Sequence, residues 1–161
     1  MTDASSLGKI DSTLQLARRY AEFSVLVTEA ELDEPGPRIL HVNDVFTRMT
    51  GYTAEEVIGR SPRFLQGPDT RREVLDRLRS NLQAGLAFVG RTVNYRKNGE
   101  PFMLEWVISH IRDADYRTTH YIAMQRDIST MTLVEEQLRR RDEELQQLAS
   151  EISPSTAGGT A

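Results

Sequence analysis

Few side chains in this sequence have the type and spacing that catalysis requires. The three histidines, His41, His110 and His120, are scattered and lack the close spacing of metal ligands. Cysteine is absent, which excludes disulfides, thiolate metal sites and cysteine nucleophiles. The sequence shows no nucleophile–base pair and no glycine loop that could cradle a phosphate. We therefore expect a protein that is not an enzyme, and ligand binding or protein interaction is the chemistry that remains.

Length and composition predict one ordinary domain with short extensions. The 161 residues are 39% hydrophobic and 27% charged, and one core usually takes about 100–200 residues. No apolar run approaches the ~20 residues that cross a bilayer, and the N-terminus lacks the basic and apolar stretches of a secretion signal. A net charge of −4 disfavours nucleic acid as a partner. We expect a cytoplasmic protein that binds neither nucleic acid nor a membrane.

The first half of the chain predicts a helix, two strands and two short helices. Residues 10–23 have the spacing of a short amphipathic helix. Residues 24–28 and 38–42 are rich in β-branched and aliphatic side chains, and an acidic loop joins them, so they predict a hairpin. Asn43 and Thr53 are placed to begin the two short helices.

A longer helix and three more strands follow. Asp69 or Thr70 is placed to cap the helix, whose leucines share one side and which ends at Gly85. Asn98 and Gly99 give a strong hairpin-turn signal between two of the strands. The strand-like runs are residues 88–95, 102–112 and 118–126. This order of elements predicts an α+β fold around an antiparallel sheet.

The apolar period changes to seven from residue 129 onward. The residues spaced by seven are Met131, Leu138, Leu145 and Ile152, and between them lie Val134, Arg141 and Leu148. This heptad seam predicts a C-terminal coiled-coil helix over residues 129–153, with a flexible tail over residues 154–161. An isolated helix of this length is only marginally stable in water. We therefore expect a homodimer that pairs through this helix and through an N-terminal flanking helix over residues 1–22. Folding back over the sheet is the alternative for the C-terminal helix.

One segment closely resembles the signature loop of a known family. Residues 59–70 read Gly-Arg-Ser-Pro-Arg-Phe-Leu-Gln-Gly-Pro-Asp-Thr, which resembles the loop of light-oxygen-voltage domains, a flavin-binding branch of the PAS superfamily. Residues 43–52, 94–99 and 121–128 share the resemblance, which covers residues 23–128 in all. It implies the PAS fold, in which a five-stranded antiparallel sheet with short helices on one face encloses a flavin.

The resemblance implies which residues bind that flavin. Arg63 and Arg79 match the family positions that pair with the ribityl phosphate, a task that suits guanidinium groups. Gln66, Asn94 and Gln125 match positions that hydrogen-bond the flavin, since an amide offers both donor and acceptor. The remaining candidates for cofactor binding are Leu75, Leu78, Leu82 and Thr28. The implied cofactor is FMN, with FAD as the alternative, bound noncovalently.

Two departures from the family pattern matter most, beside milder changes at Ser61 and Pro37. Pro62 stands at the position of the family's photoreactive cysteine, so no cysteinyl adduct with flavin can form. Leu104 stands at the position of the family's second flavin-edge asparagine. Losing one neutral hydrogen bond costs about 0.5–1.5 kcal/mol, so we expect the flavin affinity to fall without vanishing.

Two functions are compatible with these residues. The first is a light-oxygen-voltage-type sensor without the adduct-forming cysteine, which senses blue light or redox state through noncovalent flavin. In it, Gln125 would rotate when the flavin is reduced and pass the change to the C-terminal helix and an unknown effector protein. The second is a cofactor-free PAS module for dimerisation or interaction, in which Arg63 and Arg79 are surface cations. Several amides directed towards an apolar interior favour the first, because unpaired buried polar groups are costly.

Overall fold

Five strands and five helical segments follow one another in a computed structural model, which describes residues 22–152. The strands are β1 (Ser24–Glu29), β2 (Ile39–Val42), β3 (Phe88–Tyr95), β4 (Pro101–Arg112) and β5 (Thr118–Asp127). The helices are α1 (Asp44–Thr50), α2 (Ala54–Val57), a 3₁₀-helix (Pro62–Leu65), α3 (Arg72–Gln83) and α4 (Ser129–Ile152). The predicted N-terminal flanking helix and the predicted tail lie outside the described residues.

The five strands form one antiparallel sheet in the order β2-β1-β5-β4-β3. In this order β5 lies between β1 and β4, so the first and last strands of the fold are neighbours. Gln125 of β5 is the register partner of Ser24 on one side and of Trp106 on the other. The predicted α+β fold with a five-stranded antiparallel sheet is confirmed.

The buried face of the sheet follows from the alternation of side chains along each strand. In β1 every second residue is buried, beginning with Ser24, and β3 alternates in the same way from Phe88. The short helices cover this inner face. Phe46 of α1 and Val57 of α2 pack in one core cluster with Leu26 of β1. A second cluster joins β3 and β4, with partly buried residues of α3 packed against it.

Local signals placed the two short helices where the sequence predicted them. The Asn43 carboxamide oxygen accepts from the Phe46 amide at 3.1 Å and caps α1. Gly51 ends that helix with φ = 80°, a left-handed conformation that favours glycine. Before α2, the Glu56 carboxylate accepts from the Thr53 amide at 3.0 Å. Both helix starts are confirmed.

The predicted cap of α3 is wrong. The helix begins at Arg72, and neither Asp69 nor Thr70 caps it. Instead, the Thr70 hydroxyl donates to the Val93 carbonyl at 2.6 Å, and the Asp69 carboxylate accepts from the Tyr95 hydroxyl at 2.8 Å. The two side chains bond to β3 and thereby hold the loop against that strand. They are therefore not used to cap the first amides of α3.

The chain divides into two units between Ile128 and Ser129, and α4 is the described part of the second. Its 24 residues confirm the predicted helix, and its seam side chains from Met131 to Leu148 include exposed leucines. Arg139 pairs with Glu136 and Glu143 along the same helix. Within residues 22–152, no helix is long and apolar enough to cross a membrane. Pairing of this helix with a second chain stays a prediction.

Candidate ligand-binding site

A cavity of about 500 Å³ lies between the inner face of the sheet and the segment containing the 3₁₀-helix and α3. Its walls include every residue that the sequence singled out. These residues are Thr28, Pro62, Arg63, Gln66, Leu75, Leu78, Arg79, Leu82, Asn94 and Gln125. Five elements of the fold therefore bring together residues that span almost a hundred positions of the chain.

Two buried amides on the sheet side of this cavity have polar atoms without partners. Asn94 is 7% exposed, and among residues 22–152 its side-chain amide has no hydrogen-bond partner. Gln125 is 6% exposed; its oxygen accepts from the Ser24 hydroxyl at 3.3 Å, while its NH₂ group has no partner in the described chain. Within residues 22–152, the fully buried side-chain atoms without a partner are the Ser61 hydroxyl oxygen and the Trp106 indole nitrogen, and both residues line this cavity. A polar atom left unpaired inside a protein costs about 1–3 kcal/mol. The position of these groups in a cavity wall therefore points to a polar ligand.

Apolar side chains form the opposite wall. Leu75, Leu78 and Leu82 lie on one side of α3, because residues three, four and seven apart share a helix face. The helix is held to β3 by the Arg71 amide, which donates to the Thr92 hydroxyl at 2.9 Å. Leu104, 2% exposed, faces the same cavity from β4. The cavity thus combines an apolar wall with convergent polar groups, an arrangement found in cofactor sites.

Sequence reasoning missed four further wall residues on the central strands. They are Trp106, Ile108, Tyr121 and Ala123. The signal that finds them is the alternation of side chains, since Tyr121 and Ala123 share a strand face with Gln125. Burial raises the pKa of the Tyr121 hydroxyl, and the Glu31 carboxylate raises it further. Tyr121 therefore stays neutral at physiological pH and contributes a ring rather than a charge.

The Arg63 and Arg79 side chains meet at the mouth of the cavity, where both contact the loop between β1 and β2. Arg63 donates to the Leu32 carbonyl at 2.7 Å, and Arg79 donates to the same oxygen at 3.0 Å. Arg79 also forms an ion pair with Asp33, and Arg63 lies 3.5 Å from the Glu34 carboxylate. The Arg79 side chain is 41% exposed and that of Arg63 is 35% exposed, so both remain accessible to a ligand at the mouth.

The loop around the 3₁₀-helix is held close to β3. Pro62 begins that helix and lines the cavity, so this part of the wall is a proline ring, which carries no reactive group. A Cβ atom on Gly67 would lie 2.3 Å from the Tyr95 ring, so only glycine allows this approach. Gln66 is exposed at the rim of the cavity. The loop thereby places the Arg63 guanidinium and the Gln66 amide near one edge of the cavity.

The groups at this site fit a flat, partly apolar ligand with an amide-type edge and an anionic tail. Leucines offer contact to a ring, amides can match a heterocyclic edge that both donates and accepts, and guanidinium groups suit a phosphate. Over the described part of the chain, no group of three His, Asp or Glu residues could hold a metal ion. The guanidinium and amide groups that line the cavity suit an organic anion.

Comparison with known proteins defines the class. A PAS domain family model matches residues 24–130, which is more than half of the chain. The chain therefore belongs to the PAS domain family.

Two curated relatives are named as blue-light receptors or phototropins. Phototropin-1B of Oryza sativa subsp. japonica is 35% identical over 129 residues, which is 80% of this chain and 14% of that protein. A blue-light photoreceptor of Listeria innocua serovar 6a is 33% identical over 150 residues, 93% of this chain and 58% of that protein. The chain spans about a seventh of the length of the rice phototropins it matches.

Solved structures of light-oxygen-voltage domains have the same fold. One, described as "Flavin Analogue Sheds Light on Light-Oxygen-Voltage Domain Mechanism", is 28% identical with a TM-score of 0.66, covering 82% of this chain and 96% of that one. The light-oxygen-voltage domain of a blue-light activated histidine kinase from Erythrobacter litoralis is 29% identical with a TM-score of 0.61, covering 66% and 96%. The resemblance to light-oxygen-voltage domains is confirmed, in a chain that contains no cysteine.

Proposed function

We propose that this chain is a sensory domain that binds FMN noncovalently and responds to blue light or to redox state. The observation that carries the proposal is a cavity whose wall holds two amides, Asn94 and Gln125, and the unpaired indole N–H of Trp106, with two arginines at its mouth. A buried polar group without a partner, such as the Trp106 N–H, is costly unless a ligand pairs with it. An FMN molecule offers each group a partner of matching chemistry.

Each group has a task in this proposal. Arg63 and Arg79 hold the phosphate, Asn94 and Gln125 bind the polar edge of the ring, and the α3 leucines contact the ring face. Gln66 binds at the rim, and Thr28 contributes to the wall on β1. FAD is the alternative cofactor, because an open pocket of about 340 Å³ shares Asp33, Arg79 and Tyr121 with the cavity.

The proposed signal begins at Gln125. A bound flavin would supply blue-light absorption and a reducible ring whose edge either accepts or donates a hydrogen bond. Gln125 can answer both states by exchanging its oxygen and nitrogen through rotation. The Ser24 hydroxyl, 3.3 Å from the Gln125 oxygen, can accept as well as donate, so it suits either orientation. Pro62 prevents a covalent adduct, so in this chain the signal depends on hydrogen bonding alone.

The proposed output is the C-terminal helix. Gln125 lies two residues before Asp127, and Asp127 pairs with Arg96 at 2.5 Å. The next residue, Ile128, is 4% exposed and donates from its amide to the Met103 carbonyl at 2.9 Å. A rotation at Gln125 can therefore change the strand end from which α4 begins. The proposal also includes a homodimer formed through the N- and C-terminal helices and an effector protein whose identity is unknown. It further includes a cytoplasmic location and a role without catalysis.

An absorption spectrum tests the proposal. The purified chain, alone or after addition of FMN and gel filtration, is expected to retain a yellow chromophore with blue absorption. Asn94→Leu combined with Gln125→Leu should abolish retention, while Gln137→Leu, which removes an exposed amide from α4, should not. A folded, colourless protein that takes up neither FMN nor FAD would reject the sensor and favour the cofactor-free interaction module.

A further inference from the structure

We infer that Asp33 and Glu34, in the loop between β1 and β2, determine which flavin tail the cavity accepts. They do so by competing with a phosphate for Arg63 and Arg79. This inference rests on the proposed flavin site and concerns its specificity. Neither acidic residue carries the resemblance to light-oxygen-voltage domains, and both line the mouth of the cavity.

The two arginines converge on this loop from separate elements. Arg63 belongs to the 3₁₀-helix and Arg79 to α3, yet both donate to the Leu32 carbonyl, at 2.7 and 3.0 Å. One backbone oxygen thus draws two cations together, although like charges repel each other. Neighbouring negative charge is needed to stabilise this arrangement, and the loop supplies it.

The next two residues of the loop supply that charge. Asp33 pairs with Arg79, and Glu34 lies 3.5 Å from Arg63. The loop is held in a tight turn, because the Gly36 amide donates to the Asp33 carbonyl at 2.8 Å. The Asp33 amide in turn donates to the Glu31 carboxylate at 2.8 Å. These bonds fix the shape of the loop, and the two arginine bonds to the Leu32 carbonyl hold it at the mouth.

This arrangement affects anionic and neutral ligands differently. A phosphate at the mouth needs the same guanidinium groups, and it also meets repulsion from the two carboxylates. Riboflavin, which has the same ring but no phosphate, leaves both ion pairs intact. Asp33 and Glu34 therefore lower the affinity for FMN relative to that for riboflavin. The side chains are 75% and 86% exposed, so water screens each pair and the effect of each acid is modest.

Binding titrations with FMN and riboflavin test this competition. The variants are Asp33→Asn, Glu34→Gln and their combination, and the control is Asp115→Asn, in the turn between β4 and β5. Among the described residues the Asp115 carboxylate has no ion pair. We expect the Kd for FMN to fall about two- to fivefold in each single variant and about tenfold in the double variant. The Kd for riboflavin, and both values in the control, should stay within about twofold.

Hydrogen exchange of the loop gives a second readout. Saturating FMN should speed exchange of the Gly36 and Asp33 amides in the wild-type protein, because the phosphate takes the two arginines from the loop and the turn that these amides close becomes less stable. Saturating riboflavin should leave these rates unchanged. Equal changes for the two ligands would indicate that the loop acts by shape alone and would overturn the inference.

The remaining outcomes separate this inference from the proposed function. If FMN binds the wild-type protein and its Kd is the same in all variants, the competition is rejected and the flavin site stands. If neither FMN nor riboflavin binds the folded wild-type protein, the flavin site itself is rejected, and the inference falls with it.

Discussion

Trp106 and Gln125 lie directly opposite each other across β4 and β5, and both face the cavity. They are 4% and 6% exposed, so neither contacts bulk water appreciably. Trp106 is also the only tryptophan in the chain. The one strongly fluorescent side chain of the protein therefore lies beside the amide on which the proposed signal depends.

FMN binding should quench the tryptophan emission of the chain. A flavin in the cavity would lie within contact range of the Trp106 ring, at which energy or electron transfer competes with emission. We expect loss of most of the emission at one equivalent of FMN, measured by fluorescence titration. Trp106→Phe should remove the signal while the protein still retains the yellow chromophore. Retention of FMN with unchanged Trp106 emission would place the flavin elsewhere.

Leu104→Asn should increase flavin affinity. Leu104 lines the cavity from β4 and is 2% exposed, so an amide at this position would face the ligand. One added neutral hydrogen bond should lower the Kd for FMN about two- to tenfold. The same change should lower the free energy of unfolding of the ligand-free protein by about 1–3 kcal/mol, because the amide is then buried without a partner.

The control for this position is Leu104→Met, which keeps an apolar side chain of similar size. It should leave the Kd for FMN within about twofold. Titration and urea unfolding, each with and without FMN, measure the two effects separately. An unchanged or higher Kd for FMN in a folded Leu104→Asn protein would show that Leu104 does not face the polar edge of the ligand.

The fold could be predicted from local signals that tertiary contacts reinforce. Alternation along β3 and β4 and the Asn98–Gly99 turn defined two strands to within one residue. The sequence predicts Asn43 as a helix cap, and in the structure its side chain caps α1. Asp69 carries an equally good capping signal, but its partner is Tyr95, which is 26 positions away in sequence. Such long-range pairs are not visible in a local pattern.

The site was predictable to a similar degree. The resemblance supplied Arg63, Arg79 and the amides, and the structure brings them to one cavity. It did not supply Asp33 or Glu34, because an acidic loop by itself reads as a solvated turn. Their relation to the arginines depends on the fold of the loop between β1 and β2. Charge pairs between segments that are distant in sequence can be identified only from the folded structure.

Gln125→Leu should uncouple the state of the flavin from the C-terminal helix. Leucine has a similar size but offers no hydrogen bond to either flavin state. In the FMN-loaded wild-type protein, chemical reduction should change amide exchange over residues 129–152; in the variant this change should be lost. Asn94→Leu is the matched control, because Asn94 is also a cavity amide but lies on β3, which does not lead into α4.

The control should bind FMN more weakly yet keep the response of the helix to reduction. A full exchange response in the Gln125→Leu protein would reject Gln125 as the start of the signal. Loss of the response in both variants would assign it to ligand binding in general rather than to this amide.

Glu105 should make the stability of the sheet depend on acid pH. On the outer face, one Glu105 oxygen accepts from Arg91 at 2.8 Å and the other from Arg126 at 2.6 Å. Burial alone would raise the pKa of Glu105, but the hydrogen bonds and charges of Arg126 and Arg91 together hold it below its ordinary value. The ionised carboxylate therefore stabilises the folded state above the pKa of an unfolded glutamate, about 4.3.

This stabilisation is lost as the pH falls through the lower pKa of the folded state. Glu105→Gln should lower the free energy of unfolding by about 1 kcal/mol at pH 7. The difference from wild type should shrink as the pH falls below about 4. Urea unfolding at several pH values measures it, with Glu100→Gln as an exposed control that should cost less. A difference that is constant from pH 7 to pH 3 would contradict the role of ionisation.

Arg141→Leu should strengthen a coiled-coil dimer. Arg141 occupies a core position of the heptad seam, between Leu138 and Leu145, where an arginine weakens packing. Burial of a leucine in its place is worth about 1.5–3 kcal/mol, so the dimer should tighten about tenfold or more. Arg140→Leu, one residue away on the flank, should have little effect. Sedimentation equilibrium over a range of concentrations measures both; an Arg141→Leu chain that stays monomeric throughout would favour the folded-back helix.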